Sequence, residues 1–170
     1  GDAREGAQIG QTVLMVLGRD WVRVVAEERC DQCGLLASGV ERDELATCFG
    51  TEAELWTQLL SSSSAANLRH RKDRNRWSAL ELGAHVRDVL DVFCYRVSLG
   101  LVQADPGFDW WDHEDAAVVL RYNEQQPSVV GEELAYNANR MTAVLAGLDN
   151  ASWLRAGIRR QTERFTIEGL

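Results

Sequence analysis

A helix-start signal at Ser78, followed by a long apolar stripe, constrains the fold of this chain more than any other feature of its sequence. Residues 78–81, Ser-Ala-Leu-Glu, have the spacing of a capping box, in which a serine hydroxyl and a glutamate carboxylate each satisfy a backbone N–H of the first helical turn. This pattern predicts one long amphipathic helix. Its apolar side chains recur at three- and four-residue intervals as far as about Val102: Leu82, Val86, Val89, Phe93 and Val97.

Two further segments predict long helices, and the three together predict the fold class. Residues 41–60 place apolar side chains mostly at helical spacing, with Gly50 as a potential break. Pro127 opens a helix that continues to about Leu148, since proline suits the first position of a helix. Three such helices with short connections predict an all-α four-helix bundle, whose last helix would begin at Thr166 and is truncated or missing in this sequence.

The remaining segments predict shorter elements. Residues 110–122 predict a short helix, and residues 159–164 predict a small hairpin or loop. Residues 12–25 are apolar with short interruptions and predict either a strand or an opening helix. Because 170 residues fit one domain of ordinary size, we assign residues 1–29 to an N-terminal extension and opening segment and residues 30–170 to a single bundle domain.

Composition argues against two classes of partner. The formal net charge of −8 disfavours a general phosphate-binding surface, because affinity for nucleic acid comes mostly from lysine and arginine. A basic run at residues 69–76 contains no aromatic side chain, and we interpret it as a solvated loop between helices. No stretch approaches the roughly 18–20 apolar residues that span a bilayer. We therefore expect no nucleic acid and no membrane among the partners.

The four cysteines are too few for the disulfide framework of a chain this long, so we expect reduced thiols and a cytoplasmic location. Cys30 and Cys33 have CxxC spacing in a predicted tight turn. They could form a structural turn with free thiols, half of a metal site or a redox pair. A structural zinc site needs a second such pair or a histidine pair, whereas Cys48 and Cys94 stand alone, so the structural turn is favoured.

His85 is the candidate metal ligand. At about 100° per residue it lies roughly 60–80° from the centre of the apolar stripe, so its imidazole faces the edge of the bundle interior. Glu81 and Asp88 lie on the same side of the helix, and either carboxylate could accept a hydrogen bond from the second ring nitrogen and orient a ligating imidazole. The structural alternative is a histidine at the edge of the core, hydrogen-bonded to one of these carboxylates.

The other two histidines are weaker candidates. His113 is flanked by polar residues and follows Asp112, which lies near a predicted helix start, so we expect a surface or capping-region residue rather than a ligand. His70 lies in the basic loop, where we expect it to be solvated. No Ser-His-Asp set, phosphate-binding glycine loop or HExxH motif accompanies them. The residues alone therefore assign no catalytic group.

Several segments nevertheless resemble one family. Residues 77–89, Trp-Ser-Ala-Leu-Glu-Leu-Gly-Ala-His-Val-Arg-Asp-Val, resemble the second-helix signature of the DinB-like superfamily, which includes the N-terminal domains of mycothiol-dependent maleylpyruvate isomerases and related thiol transferases. Four other segments resemble its actinobacterial members, and together the matches span most of the chain from Trp21 to Leu170. These four segments are residues 30–34, Trp111-Asp112, residues 121–127 and residues 165–168.

The resemblance implies a four-helix bundle that holds a divalent metal, zinc or nickel, through three histidines. His85 matches the histidine of the second helix, and the other two come from an HxxxH pair on the last helix. No HxxxH pair follows Phe165 in this sequence. In the family such a metal lowers the pKa of a low-molecular-weight thiol or a water, which then attacks an electrophilic small molecule.

Two functional hypotheses follow. The first is a DinB-like enzyme, either a metal-dependent thiol transferase of the mycothiol type or a related hydrolase, with a small-molecule substrate. In this hypothesis His85 ligates the metal, and Glu81 or Asp88 orients it. The second is a non-catalytic helical bundle that acts by association, either as a homodimer, which we expect, or by binding a partner helix.

Overall fold

The computed structural model describes residues 21–31 and 34–170, which fall into two compact units. In the first unit, helix α1 (Trp21–Glu27) is followed by a turn and by a short 3-10 helix at Ala37–Gly39. The turn is closed by a 2.8 Å hydrogen bond from Gly34 N to the carbonyl of Cys30, and the φ angle of +76° at Gly34 requires glycine. The tight turn predicted at residues 30–34 is therefore present in its described part.

The second unit, residues 40–168 with Leu170, is mostly helical. Its three longest helices are α2 (Arg42–Ser62), α4 (Ala79–Val102) and α6 (Pro127–Ala146), and α6 packs against both α2 and α4. The helices of this unit are α2 (Arg42–Ser62), α3 (Ala65–Arg69), α4 (Ala79–Val102), α5 (His113–Val119), α6 (Pro127–Ala146) and α7 (Asn150–Trp153), with a 3-10 helix at Tyr122–Glu124. No helix in the described part of the chain has the length and apolar content needed to cross a bilayer.

The three long helices begin within one residue of their predicted starts, whereas α5 begins three residues after its predicted start at residue 110 and α3 is not predicted. The capping box at the start of α4 is complete, because Glu81 N donates to Ser78 Oγ and Ser78 N donates to the Glu81 carboxylate. Asp112 caps α5 through its side chain, and Pro127 occupies the first turn of α6. The break expected at Gly50 is absent, since α2 continues through this residue. A single glycine costs a helix only about 1 kcal/mol, which packing against α6 can outweigh.

A small sheet accompanies the helices. Strand β1 (Gly107–Phe108) pairs in parallel with β2 (Ala156–Arg159), and β2 pairs antiparallel with β3 (Glu163–Thr166). Strands β2 and β3 form the hairpin that the sequence suggests near residues 159–164. Thr166 ends β3 and is followed by a turn, so it does not serve as the helix N-cap expected from the sequence.

The buried face of α4 differs from the predicted stripe. Val97 is buried as predicted, and it lies in the core against α6 together with Leu90 and Cys94, which are outside the stripe. Val86 and Phe93 are only partly buried, and Leu82 is 42 % exposed. At about 100° per residue the buried face is rotated by roughly a quarter turn from the stripe. His85 therefore points away from the α2–α6 core, toward the side of α4 that the chain after β1 covers.

The domain boundary between residues 29 and 30 remains a prediction. Two cysteines lie in the second unit, where Cys48 is exposed and Cys94 is buried at 1 % exposure. Cys94 belongs to the core because of the rotation of the buried face of α4.

Candidate functional site

The start of α4 is fixed by a network that ties three segments together. Glu81, 3 % exposed, accepts hydrogen bonds from Ser78 N at 2.8 Å and from Arg71 Nε at 2.8 Å, and a second guanidinium nitrogen of Arg71 also contacts it. Ser78 Oγ donates to Asn123 Oδ1 at 2.7 Å. Asn123 in turn bonds the backbone of Arg69. Arg69 and Arg71 of the basic run therefore anchor the helix start, while residues 70–76 are exposed, as expected of a solvated loop.

His85 lies one turn after this anchor and is half-buried. Its Nδ1 is buried, and it is the one buried polar side-chain atom without a hydrogen-bond partner among the described residues. Burial, together with the nearby His113, lowers the pKa of His85 below its ordinary value of 6.5, and the carboxylates of Asp88 and Glu114 oppose this shift. The imidazole is therefore neutral at pH 7, which is the form that binds metal ions.

Aromatic rings surround His85. Trp111 stacks on the imidazole, with ring centroids 5.7 Å apart and planes 7° from parallel. Trp77 meets the same imidazole edge-on at 5.0 Å. The ring of His113 lies 5.5 Å from that of His85 and is tilted by 51°. These four side chains, which we call the His85 ring cluster, come from the loop before α4, from α4 itself and from the segment that opens α5.

The two carboxylates expected to orient His85 have other partners. Glu81 is occupied by the capping box and Arg71. Asp88 accepts from Arg87 Nε at 2.7 Å through Oδ1 and from the hydroxyl of Tyr122 through Oδ2. Burial and the hydrogen bond to Asp88 raise the pKa of Tyr122 well above its usual range. Neither carboxylate bonds the orphaned Nδ1 of His85, so the expected carboxylate–imidazole hydrogen bond is not made.

A cleft of about 420 Å³ opens beside the ring cluster. This volume lies in the range of small-molecule sites. Trp77 and Glu114 belong both to the cleft wall and to the surroundings of the two histidines. The lining is mostly polar: Arg71, Arg74, Asn75, Trp77, Glu81, Glu114, Ala117, Val118, Arg121, Asn123 and Glu124.

The CxxC turn is remote in sequence from this cleft and lies in the first compact unit. Cys30 is exposed, and Cys33 lies outside the described residues. The choice among a structural turn, a metal site and a redox pair therefore stays a prediction. No group of three or more histidine, cysteine or carboxylate side chains suited to a metal ion occurs within residues 21–31 and 34–170.

His113 is the residue whose position the sequence analysis did not anticipate. Its side chain is 51 % exposed, as expected for a surface residue, yet its ring faces His85. His70 is exposed, in agreement with its expected place in the loop. A signal for His113 existed in Trp111, two residues before it, because a large apolar ring commonly packs against another element. Which element that would be depends on the tertiary path of the chain.

Comparison with known proteins agrees with this architecture. Residues 49–170 match the family model of the DinB superfamily. YfiT from Bacillus subtilis, described as a probable metal-dependent hydrolase with an unusual four-helix bundle topology, is similar at a TM-score of 0.67 and 18 % identity, over 75 % of this chain and 74 % of YfiT. No curated protein sequence matches significantly.

A second similar structure is a mycothiol-dependent maleylpyruvate isomerase, with a TM-score of 0.60 and 11 % identity. The match covers 77 % of this chain and 55 % of the isomerase, so the chain spans about half the length of that enzyme. At these identities both likenesses establish the fold alone. The family match covers well over half of the chain, and the helical bundle agrees with it. This chain belongs to the DinB superfamily.

Proposed function

We propose that this chain carries the bundle of a metal-dependent enzyme, in which His85 ligates a divalent metal and the adjacent cleft takes a small-molecule substrate. The orphaned Nδ1 of His85 carries the proposal. A buried polar atom without a partner costs about 1–3 kcal/mol, so its persistence beside a cleft indicates a role other than stability.

The described residues fit such an ion in part. His85 supplies a neutral imidazole, a ligand type that zinc and nickel share. Trp111 and Trp77 hold this ring by packing, in place of the carboxylate hydrogen bond that orients many ligating histidines. Because the described residues offer no group of three ligating side chains, a complete site needs donors besides His85.

The other residues of the site position the imidazole of His85 and offer a binding surface to the substrate. The capping box and Arg71 fix the first turn of α4, and hence the position of the imidazole behind Trp77. Trp77 separates His85 from the open cleft and offers an apolar face to a substrate. A divalent metal, when bound, would lower the pKa of a coordinated thiol or water and so supply a nucleophile at neutral pH.

The two similar proteins differ in the nucleophile that their names imply. One is named as a probable metal-dependent hydrolase, which uses water, and the other as a mycothiol-dependent isomerase, which uses a thiol. We propose the same division for this chain, with a low-molecular-weight thiol of the mycothiol type or water as the attacking group.

Metal binding tests the proposal. The 170-residue chain should bind zinc or nickel stoichiometrically in equilibrium dialysis with metal analysis, and His85→Ala should abolish this binding. His70→Ala is the matched control, because it removes an exposed imidazole from the loop before the same helix. A wild-type chain that binds neither ion, or a His85→Ala variant that binds as the wild type does, would contradict the proposal.

The second candidate function is association without catalysis. It is favoured by consecutive exposed apolar side chains after the ring cluster, with Val118 at 75 %, Val119 at 66 % and Leu120 at 50 % exposure. A contiguous exposed apolar patch is one mark of a protein contact surface. A chain that binds no metal but sediments as a stable homodimer, or that captures a partner helix, would support this function in place of the enzyme.

A further inference from the structure

We propose that His113 is a second nitrogen donor to the divalent metal, so that α4 and the start of α5 hold the ion between two imidazoles. The inference rests on the proposed function of His85. In the family resemblance the other two ligands come from the last helix, so a ligand from the start of α5 is additional. The proposal also gives a role to His113.

The distance between the two rings carries the inference. Their centroids are 5.5 Å apart. With metal–nitrogen bonds of about 2.0–2.1 Å and tetrahedral angles, two imidazoles on one ion have centroids roughly 5 Å apart. The ring planes are tilted by 51°, and this angle is compatible with two ligands on one ion because each imidazole rotates about its metal–nitrogen bond.

Both rings are positioned by structure that does not depend on a metal. His113 is the first residue of α5, whose start is fixed because Asp112 Oδ1 accepts from the backbone N–H groups of Glu114 and Asp115 at 3.0 and 3.1 Å. His85 is fixed by α4 and by its stack with Trp111. The two imidazoles are therefore largely in place before an ion binds. Binding would then lose little side-chain conformational entropy, which is the loss that weakens binding by flexible side chains.

The surroundings leave nitrogens available on both rings. Nδ1 of His85 has no hydrogen-bond partner. Nε2 of His113 lies 3.8 Å from the Glu114 carboxylate, which is too long for a hydrogen bond, so this contact does not occupy the nitrogen. Trp77, edge-on to both imidazoles, offers no competing charge.

The test compares affinities of the 170-residue chain for zinc and nickel ions by isothermal titration calorimetry. We expect His113→Ala to weaken binding about tenfold or more, by analogy with losses on removing groups that support a metal site. His113→Gln should weaken it equally, since it keeps a polar side chain but lacks an imidazole. His70→Ala should bind as the wild type does. X-ray absorption of the zinc-loaded wild type should require at least two imidazole ligands.

The outcomes separate this inference from the proposed function. If both His113 variants bind like the wild type while His85→Ala loses the metal, the second donor is refuted and the metal-dependent function stands. If neither ion binds to the wild type, both fail. Far-ultraviolet circular dichroism of each variant, expected to be unchanged because His113 is half exposed, shows that any loss is not unfolding.

Discussion

At the scale of single residues, the carboxylates near His85 stabilise the backbone rather than the imidazole. Glu81 closes the capping box and pairs with Arg71, while Asp88 joins Arg87 to the hydroxyl of Tyr122. Each is therefore already engaged before any ligand arrives. The orientation of His85 depends on the packing of Trp111 and Trp77, which makes the aromatic side chains the natural targets for changes in ligand affinity.

Glu81 should make the stability of the protein depend on pH in the acid range. Burial raises the pKa of Glu81, but hydrogen bonds from Arg71 and Ser78 outweigh burial and bring the pKa below its ordinary value of 4.5. A carboxyl with a lowered folded-state pKa contributes stability above its unfolded-state value and loses this contribution as the pH falls through the folded-state value. The contribution of Glu81 is therefore full at neutral pH and declines below about pH 4.5.

Glu81→Gln should lower the free energy of unfolding at pH 7 by about 1–2 kcal/mol, since it weakens a charged hydrogen-bond network that Arg71 leaves partly open to solvent. The difference from the wild type should shrink as the pH falls below about 4.5. Urea unfolding at a series of pH values measures this. Glu54→Gln, at an exposed site on α2, is the control, and an equal effect at both positions would contradict the role given to the network.

At the scale of elements, α4 has two functional sides. One side packs against α6 and carries Leu90, Cys94 and Val97 into the core. The other bears His85, and the segment between β1 and α5 covers it with Trp111 and His113. The position of that segment depends in turn on β1, which is held against β2 by parallel pairing. The sheet is thus part of the framework of the site.

Gly157 on β2 is the tightest point of this sheet. A Cβ at this position would lie 2.2 Å from Cζ of Phe108 on β1, and that ring is 5 % exposed and has little room to move aside. Gly157→Ala should therefore destabilise the protein by about 1–3 kcal/mol. Thermal unfolding followed by circular dichroism measures the loss.

Gly107→Ala provides the matched control in the paired strand, because no heavy atom lies within 4 Å of its added Cβ. This variant should unfold close to the wild-type temperature. Equal melting temperatures for the two alanine variants would show that Phe108 does not pack on Gly157 as described.

At the scale of the whole molecule, one core holds the three long helices. Leu134 on α6 is fully buried in the cluster that includes Ala53 of α2 and Leu90 of α4. A second buried cluster, around Tyr122 and Leu80, lies below the ring cluster. The His85 ring cluster therefore lies at the edge of the packed core, which supports it rigidly, and beside the cleft, which is open to solvent.

Leu134→Ala should lower the free energy of unfolding by about 2–5 kcal/mol, because the cavity lies where all three long helices meet. Leu55→Ala removes the same atoms from a side chain that is 55 % exposed and should change stability by no more than about 0.5 kcal/mol. Denaturant midpoints compare the two variants. Comparable losses would place Leu134 outside the shared core.

The sequence by itself determined the three long helices and several helix caps, because these depend on local chemistry. Ser78 with Glu81, Asp112 and Pro127 each act on the backbone within one turn, so their roles follow from spacing alone. The family resemblance followed from the same local segments, and it singled out His85. These are properties that neighbouring residues fix without knowledge of the rest of the chain.

Only the tertiary structure decided which side of α4 is buried and what stands beside His85. The apolar pattern of α4 is broad, since Val89, Phe93, Leu90 and Cys94 together span roughly 140° of the helix surface at about 100° per residue, and packing against α6 selects the buried part. Likewise, His113 approaches His85 because pairing of β1 with β2 and the cap at Asp112 direct the intervening chain across α4. Contacts between segments distant in sequence depend on the whole path of the backbone, which no local spacing encodes.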